Sequence, residues 1–208
     1  MITFRSVQMR DLEQLLSIEN EGFLIEEAAT KEAFMSRIQL TADTFIVAEK
    51  EGKILGYING PVINQPYITD NLFEEINENP KKGGYQSVLG LAVSKQSRNQ
   101  GIARILIEKL ERLAEENERE GITLTCKQEL VPFYEKLGFV SHGLSESIHG
   151  GISWYNMVKL RGERIDPLFR ERCTPAETHK PNFSLKRIRL ELHLFMCKIA
   201  TKVTLYQV

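Results

Sequence analysis

The sequence predicts an α/β domain: a twisted mixed sheet of six or seven strands with helices on both faces, followed by a C-terminal extension. Three observations carry that expectation. Short alternating or β-branched runs recur between amphipathic helical runs. Hydrophobic residues make up 42% and charged residues 26% of the 208 positions, enough to bury one large core. The charge also changes sign late: residues 1–160 carry 17 Lys+Arg against 23 Asp+Glu, whereas residues 161–208 carry 10 against 5. The division expected is therefore a domain at 1–162 and a basic extension of unknown role at 163–208.

Ile2-Thr3-Phe4-Arg5-Ser6-Val7 alternates as a strand does, and Asp11 opens a helical pattern through Leu12, Leu15, Leu16 and Ile18 to Gly22. Thr30 is placed to cap a second helix, Lys31 to about Leu40. Thr44–Glu49 and Ile54–Gly60 form a hairpin around Glu51-Gly52. A long excursion from Pro61 to Gly84 follows, with a short helix near Asn71–Ile76; loops of that length are often functional. Tyr85–Val93 reads as one strand holding Gly90, a residue that marks a bulge or a close approach by a ligand. A polar turn then leads into a helix with Ile102, Leu106, Leu110 and Leu113 on one face. Ile122–Cys126 is a buried-type strand, Leu130–Leu137 a short helix stopped by Gly138, and Phe139–His142 and Trp154–Leu160 two closing strands. In the extension, Asp166-Pro167, Thr174-Pro175 and Lys180-Pro181 break regular structure, and Ile188, Leu190, Leu192 and Leu194 alternate as a strand would.

Several classes are excluded or disfavoured. No apolar run approaches the roughly 20 residues of a membrane span. The first residues lack the basic and then apolar pattern of a secretory signal. Three widely spaced cysteines (Cys126, Cys173, Cys197) support neither a disulfide framework nor a zinc knuckle, so a reducing cytoplasm is the expected compartment. An acidic body disfavours nucleic acid and is compatible with cationic small molecules. The four histidines are His142, His149, His179 and His193, so nothing earlier can act as an imidazole base.

Arg98-Asn99-Gln100-Gly101-Ile102-Ala103 follows a strand and opens a helix. A helix N-terminus offers free N–H groups and a positive dipole end, so this turn is a candidate pyrophosphate site. Gly101 and Ala103 lack bulk, and Lys95, Arg98 and Arg104 add positive charge. It is neither a P-loop nor Gly-x-Gly-x-x-Gly, and an ordinary turn and cap is the competing reading.

This order of elements resembles the GNAT acetyltransferase superfamily. The resemblance implies a GNAT acyl-CoA N-acyltransferase fold, in which the turn and helix bind the coenzyme A pyrophosphate and the preceding strand splays to pair with the pantetheine arm. Leu91-Ala92-Val93 stands where that strand should be, and Val131-Pro132-Phe133-Tyr134-Glu135-Lys136-Leu137-Gly138-Phe139 looks like the last family motif, whose tyrosine protonates the departing thiolate. Together with Leu124–Tyr134 and Trp154–Gly162, these segments are similar to aralkylamine (serotonin) N-acetyltransferase of the non-vertebrate type over residues 1–162. The sequence departs from the vertebrate pattern at Ser87 and Leu89, where that enzyme has histidines, and near Ala28-Ala29-Thr30, where its Cys-Pro-Leu loop is missing.

The resemblance implies Tyr134 as general acid, and Leu91, Ala92, Val93, Arg98, Asn99, Gln100, Gly101, Ile102, Ala103, Arg104, Thr125 and Tyr134 as acetyl-CoA contacts. A core aromatic is the competing reading of Tyr134. Cys126, in an apolar strand without a histidine pattern, reads as buried and structural rather than nucleophilic. Glu26, Glu27 and Glu129 are acidic candidates for an ammonium. Glu27 is preferred as base because related insect enzymes carry a glutamate in the corresponding loop. The expected activity is transfer of the acetyl group of acetyl-CoA to a small primary amine, an arylalkylamine, by direct attack in a ternary complex. Phe23, Phe133, Trp154 and Tyr155 are the aromatic candidates for its ring. No metal, nucleic acid or membrane is implied, and a homodimer is compatible with this reading. Acetylation of polyamines or protein amines, or a non-catalytic acetyl-CoA-binding module, are the alternatives.

Overall fold

A computed structural model of the chain describes residues 1–73 and 75–162. The expectations for residues 163–208 lie outside the described residues.

Nine strands among the described residues form two sheets, one ordered β1-β2-β3-β6 and the other β4-β5-β7-β9-β8. The first comprises β1 (Thr3–Ser6), β2 (Ile46–Lys50), β3 (Lys53–Asn59) and β6 (Gly90–Val93), all antiparallel. The second comprises β4 (Val62–Ile63), β5 (Tyr85–Val88), β7 (Gly121–Cys126), β8 (Val140–Leu144) and β9 (Tyr155–Leu160), mixed because β5 and β7 run parallel. Glu51 and Gly52 both have positive φ (52° and 80°), the geometry of a tight hairpin turn between β2 and β3.

Helices cover both faces. On one face α1 (Leu12–Gly22) and α2 (Lys31–Leu40) bury Leu15, Ile18, Phe34 and Ile38 against Val47, Tyr57 and Ala92. Thr30 caps α2 through its hydroxyl, which accepts from the Ala33 N–H at 3.1 Å. On the other face α3 (Ile102–Glu116) places Ile102, Leu106 and Leu110 against Ile46, Ala48 and Ile58. Alternation along β2 is what feeds both cores: Ile46 and Ala48 face one, Val47 the other. The short helix α4 (Val131–Glu135) brings Tyr134 into the α3-side core.

Two expectations need correction. The single strand at Tyr85–Val93 is two strands in different sheets, broken at Leu89, whose N–H is drawn to the Asn59 carbonyl at 2.8 Å. Gly90 is also closely packed: a Cβ there would stand 3.2 Å from both the Tyr57 ring and the Asn59 amide nitrogen. Within the excursion the short helix is a 3₁₀ turn at Asp70–Phe73, and Val62–Ile63 adds a strand too short for a periodicity signal.

Candidate active site

The break at Leu89 opens the cleft. β5 stays paired with β7 as far as Val88↔Leu124, then the chain crosses to β3, leaving Thr125 and Cys126 of β7 paired only with β9. β6 is the last strand of its sheet, so one side of its backbone has no strand partner. Between the diverging strands lies a cleft of about 610 Å³.

The start of α3 forms one end. Gly101 caps the helix from the left-handed region (φ 78°), no side chain caps it, and Asn99 before it also has positive φ (61°). A Cβ at Gly101 would meet nothing within 4 Å, so backbone conformation, not crowding, calls for glycine there. Unsatisfied N–H groups at the first turn of a 15-residue helix therefore face the cleft end. Arg104 lines the cleft and pairs with Glu108 (2.8 Å). Arg98 also lines it, but its guanidinium donates to the carbonyls of Val93 (3.1 Å) and Glu21 (3.3 Å), tying α1 to the end of β6.

Of the residues expected to contact acetyl-CoA, all but Gln100 line this cleft. The Gln100 amide instead donates to the Gln96 carbonyl. Ile102 is 1% exposed with its side chain in the core, so only its backbone is offered.

Tyr134 lies where β7 and α4 meet the cleft, its ring edge-on to Phe133 and Phe139 (centroids 5.1 and 5.7 Å). Among the described residues no protein group hydrogen-bonds its hydroxyl. Burial, with the nearby Cys126, raises the phenol well above its ordinary range, so it holds its proton at neutral pH. Cys126 is 2% exposed and burial, reinforced by Glu129, pushes its thiol up to about 11, the opposite of an activated nucleophile.

The far end is built by three segments distant in sequence. Glu27, between α1 and α2, lines the cleft with its side chain 1% exposed. Lys127, just after β7, places its Nζ 2.9 Å from Glu27 Oε1. The ion pair lacks hydrogen-bond geometry, and neither buried carboxylate oxygen accepts a hydrogen bond. From the β8–β9 loop, His149 Nε2 lies 3.2 Å from the Glu27 carbonyl; a carbonyl only accepts, so Nε2 carries the hydrogen. The Trp154 indole donates to the His149 carbonyl (2.8 Å), which fixes the loop over Glu27.

Phe23, Phe133 and Trp154 line the cleft as expected, whereas Tyr155 packs against the α3-side core. Glu129 lines it and Glu26 is exposed outside it. His149 and Lys127 line the candidate site, and sequence reading had not singled them out for it. Lys127 lies within the Leu124–Tyr134 stretch and His149 in no motif, and only the folding back of the β8–β9 loop and the end of β7 onto Glu27 brings them together. Ser87 is fully buried with its hydroxyl donating to Pro61 O (2.6 Å), which excludes it as a base. Among the described residues no cluster of three or more His, Cys, Asp or Glu could hold a metal ion, and no helix is long and apolar enough to cross a membrane.

Comparison with known proteins adds the following. The family model described as an acetyltransferase (GNAT) domain matches residues 12–161. The uncharacterized N-acetyltransferase YjcF of Bacillus subtilis (strain 168) is 31% identical over 78 residues; the match covers 38% of this chain and 56% of that relative's length. Among solved structures, the ribosomal-protein-S18-alanine N-acetyltransferase from Escherichia coli superposes with a TM-score of 0.56 at 17% identity, over 80% of this chain and 99% of that one. The GphF GNAT-like decarboxylase in complex with isobutyryl-CoA superposes with a TM-score of 0.66 at 17% identity, over 76% and 98%. At such identities these likenesses show the fold.

Proposed function

The chain belongs to the GNAT acetyltransferase family, and from that premise we propose that it moves the acetyl group of acetyl-CoA onto a small primary amine carrying an aromatic ring. The observation that carries the acceptor reading is Glu27: a carboxylate buried in an aromatic-lined cleft, with the Lys127 ammonium 2.9 Å away as counter-ion but with neither oxygen accepting a hydrogen bond. A buried carboxylate in that condition gains from an ammonium donor. Phe23, Phe133 and Trp154 supply apolar and π surface for the rest of the acceptor.

The donor end fits a coenzyme A ester on this chain's own features. The uncapped N–H groups around Asn99–Ala103 suit the pyrophosphate. The unpartnered side of β6 at Leu91–Val93 suits an extended amide-bearing arm, as a sheet edge accepts an added strand. Thr125, beyond the last β5–β7 pair, closes the opposite wall.

In this reading Glu27 orients the ammonium and takes its proton. The neutral nitrogen attacks the thioester carbonyl carbon directly. Backbone N–H groups near Leu91 steady the developing oxyanion; one such donor is worth roughly 3–4 kcal/mol in other acyl-transfer enzymes. Tyr134, kept protonated by burial, gives its proton to the leaving sulfur.

The test is a turnover assay with acetyl-CoA and an amine panel. Tryptamine or phenethylamine should give a higher kcat/KM than spermidine or a lysine peptide. Spermidine ahead by tenfold or more would transfer the assignment to polyamines.

A further inference from the structure

The acceptor end of the cleft already holds a primary amine. Lys127 is the lysine that lines the cleft among the described residues, and its Nζ stands 2.9 Å from the carboxylate assigned to receive the acceptor's ammonium. Its backbone follows Cys126, which is fixed by pairing with Tyr155, so the side chain projects from an anchored point. Tyr134, assigned to protonate the sulfur, lines the same cleft. The Lys127 Nζ thus has the proton acceptor beside it and the proton donor in the same cavity. Other lysines are differently placed: Lys31, Lys82 and Lys159 pair with Glu13, Glu118 and Glu111 outside the cleft.

We propose that Lys127 is acetylated by the chain's own active site, in cis, when no acceptor amine occupies the cleft. The proposal rests on the acceptor reading of Glu27 given above. Glu27 takes one proton from the Nζ ammonium, and the freed nitrogen lone pair attacks the thioester carbonyl carbon. The C–N bond forms and the C–S bond breaks; sulfur leaves with the electron pair and takes the Tyr134 proton. The nitrogen's second proton returns to the Tyr134 phenolate by way of solvent. The products are acetyl-lysine, the free thiol of coenzyme A and one proton released from Glu27 to solvent. No other reactant is needed. Acetylation cancels the Lys127 charge, so Glu27 loses its counter-ion and the acceptor site changes character.

The experiment incubates the full chain with acetyl-CoA and no amine, then maps acetyl groups by peptide mass spectrometry over time, with the amine panel assayed in parallel. Lys127 should gain one acetyl group at a rate independent of protein concentration. That rate should exceed the one at exposed Lys81 by at least tenfold, and a saturating panel amine that is turned over should suppress it. Lys127→Arg should lack this acetyl group while retaining the shift in melting temperature that acetyl-CoA produces. Turnover of amines without acetylation at Lys127 overturns the proposal, as does acetylation there no faster than at Lys81. Acetylated Lys127 with no turnover of any amine supports the proposal and overturns the small-amine reading instead.

Discussion

Glu27 occupies the space that a side chain at Gly150 would need: a Cβ built there would come 2.8 Å from Glu27 Cγ, and Gly150 itself has φ 64°. The β8–β9 loop is thus closed over the carboxylate at the one residue type that permits it.

Gly150→Ala should therefore act on Glu27 as well as on the loop. Left-handed backbone at alanine costs about 1–2 kcal/mol, and the contact pushes the carboxylate aside. A displacement near 1 Å at a reacting group can cost roughly 10²-fold in rate. We expect a lowered melting temperature and kcat/KM down by about that factor, with acetyl-CoA affinity kept. Unchanged kcat/KM would show that the position of Glu27 does not govern turnover.

Tyr134→Phe should lower kcat by roughly 10²–10⁴-fold, the usual size of a proton-transfer contribution. Because burial raises this phenol, the wild-type rate should not fall on the alkaline side until above the ordinary tyrosine range. A general acid fails when it loses its proton, so a raised pKa moves that loss to higher pH. An alkaline limb near neutrality that vanishes in the variant would contradict the assignment.

Saturating acetyl-CoA at about a hundred times its Kd should stabilise the fold by roughly 2.7 kcal/mol. Gly101→Glu, which sets bulk and negative charge at the start of α3 and strains a residue at φ 78°, should abolish that increment. A full thermal shift in the variant would remove this helix start from the donor site.

Asp11 gives a stability prediction remote from the cleft. Burial alone would raise its carboxyl, but the two-pronged Arg5 guanidinium (2.7 and 2.9 Å) and the Gln8 N–H (2.8 Å) hold it below its ordinary value. A carboxyl lowered by folding contributes stability that is present above its unfolded pKa, near 4, and is lost as pH falls below that. Asp11→Asn should cost about 1.5–3 kcal/mol at pH 7, the range for bonds to charged groups, and the gap from wild type should narrow below pH 4. A gap constant from pH 7 to pH 3 would refute the electrostatic origin.

Much of this protein was legible in the chain because the signals were local. Thr30 before a helical run, Glu51-Gly52 between two strands and the α3 stripe of Ile102, Leu106 and Leu110 each report the next few residues. The proposed donor end was legible for the same reason: a turn with left-handed Asn99 and Gly101 running into a helix is a contiguous stretch. The proposed acceptor end was legible only in part. Glu27 and Trp154 could be named as residues, but not that Lys127 pairs with the former or that His149 sits between them.

Sequence alone determined the α/β class, the order of the main strands and helices, and the helix start that suits a phosphate. These follow from periodicity, capping and backbone preference, which act between near neighbours. The tertiary structure decided that the strand through Leu89 divides between two sheets and so opens a cleft. It decided that Gly90 makes room for Tyr57 and Asn59, and that Glu27 is sealed against Lys127. Those outcomes depend on which distant surfaces meet when both faces of the sheets are buried at once, and no short stretch of sequence encodes that meeting.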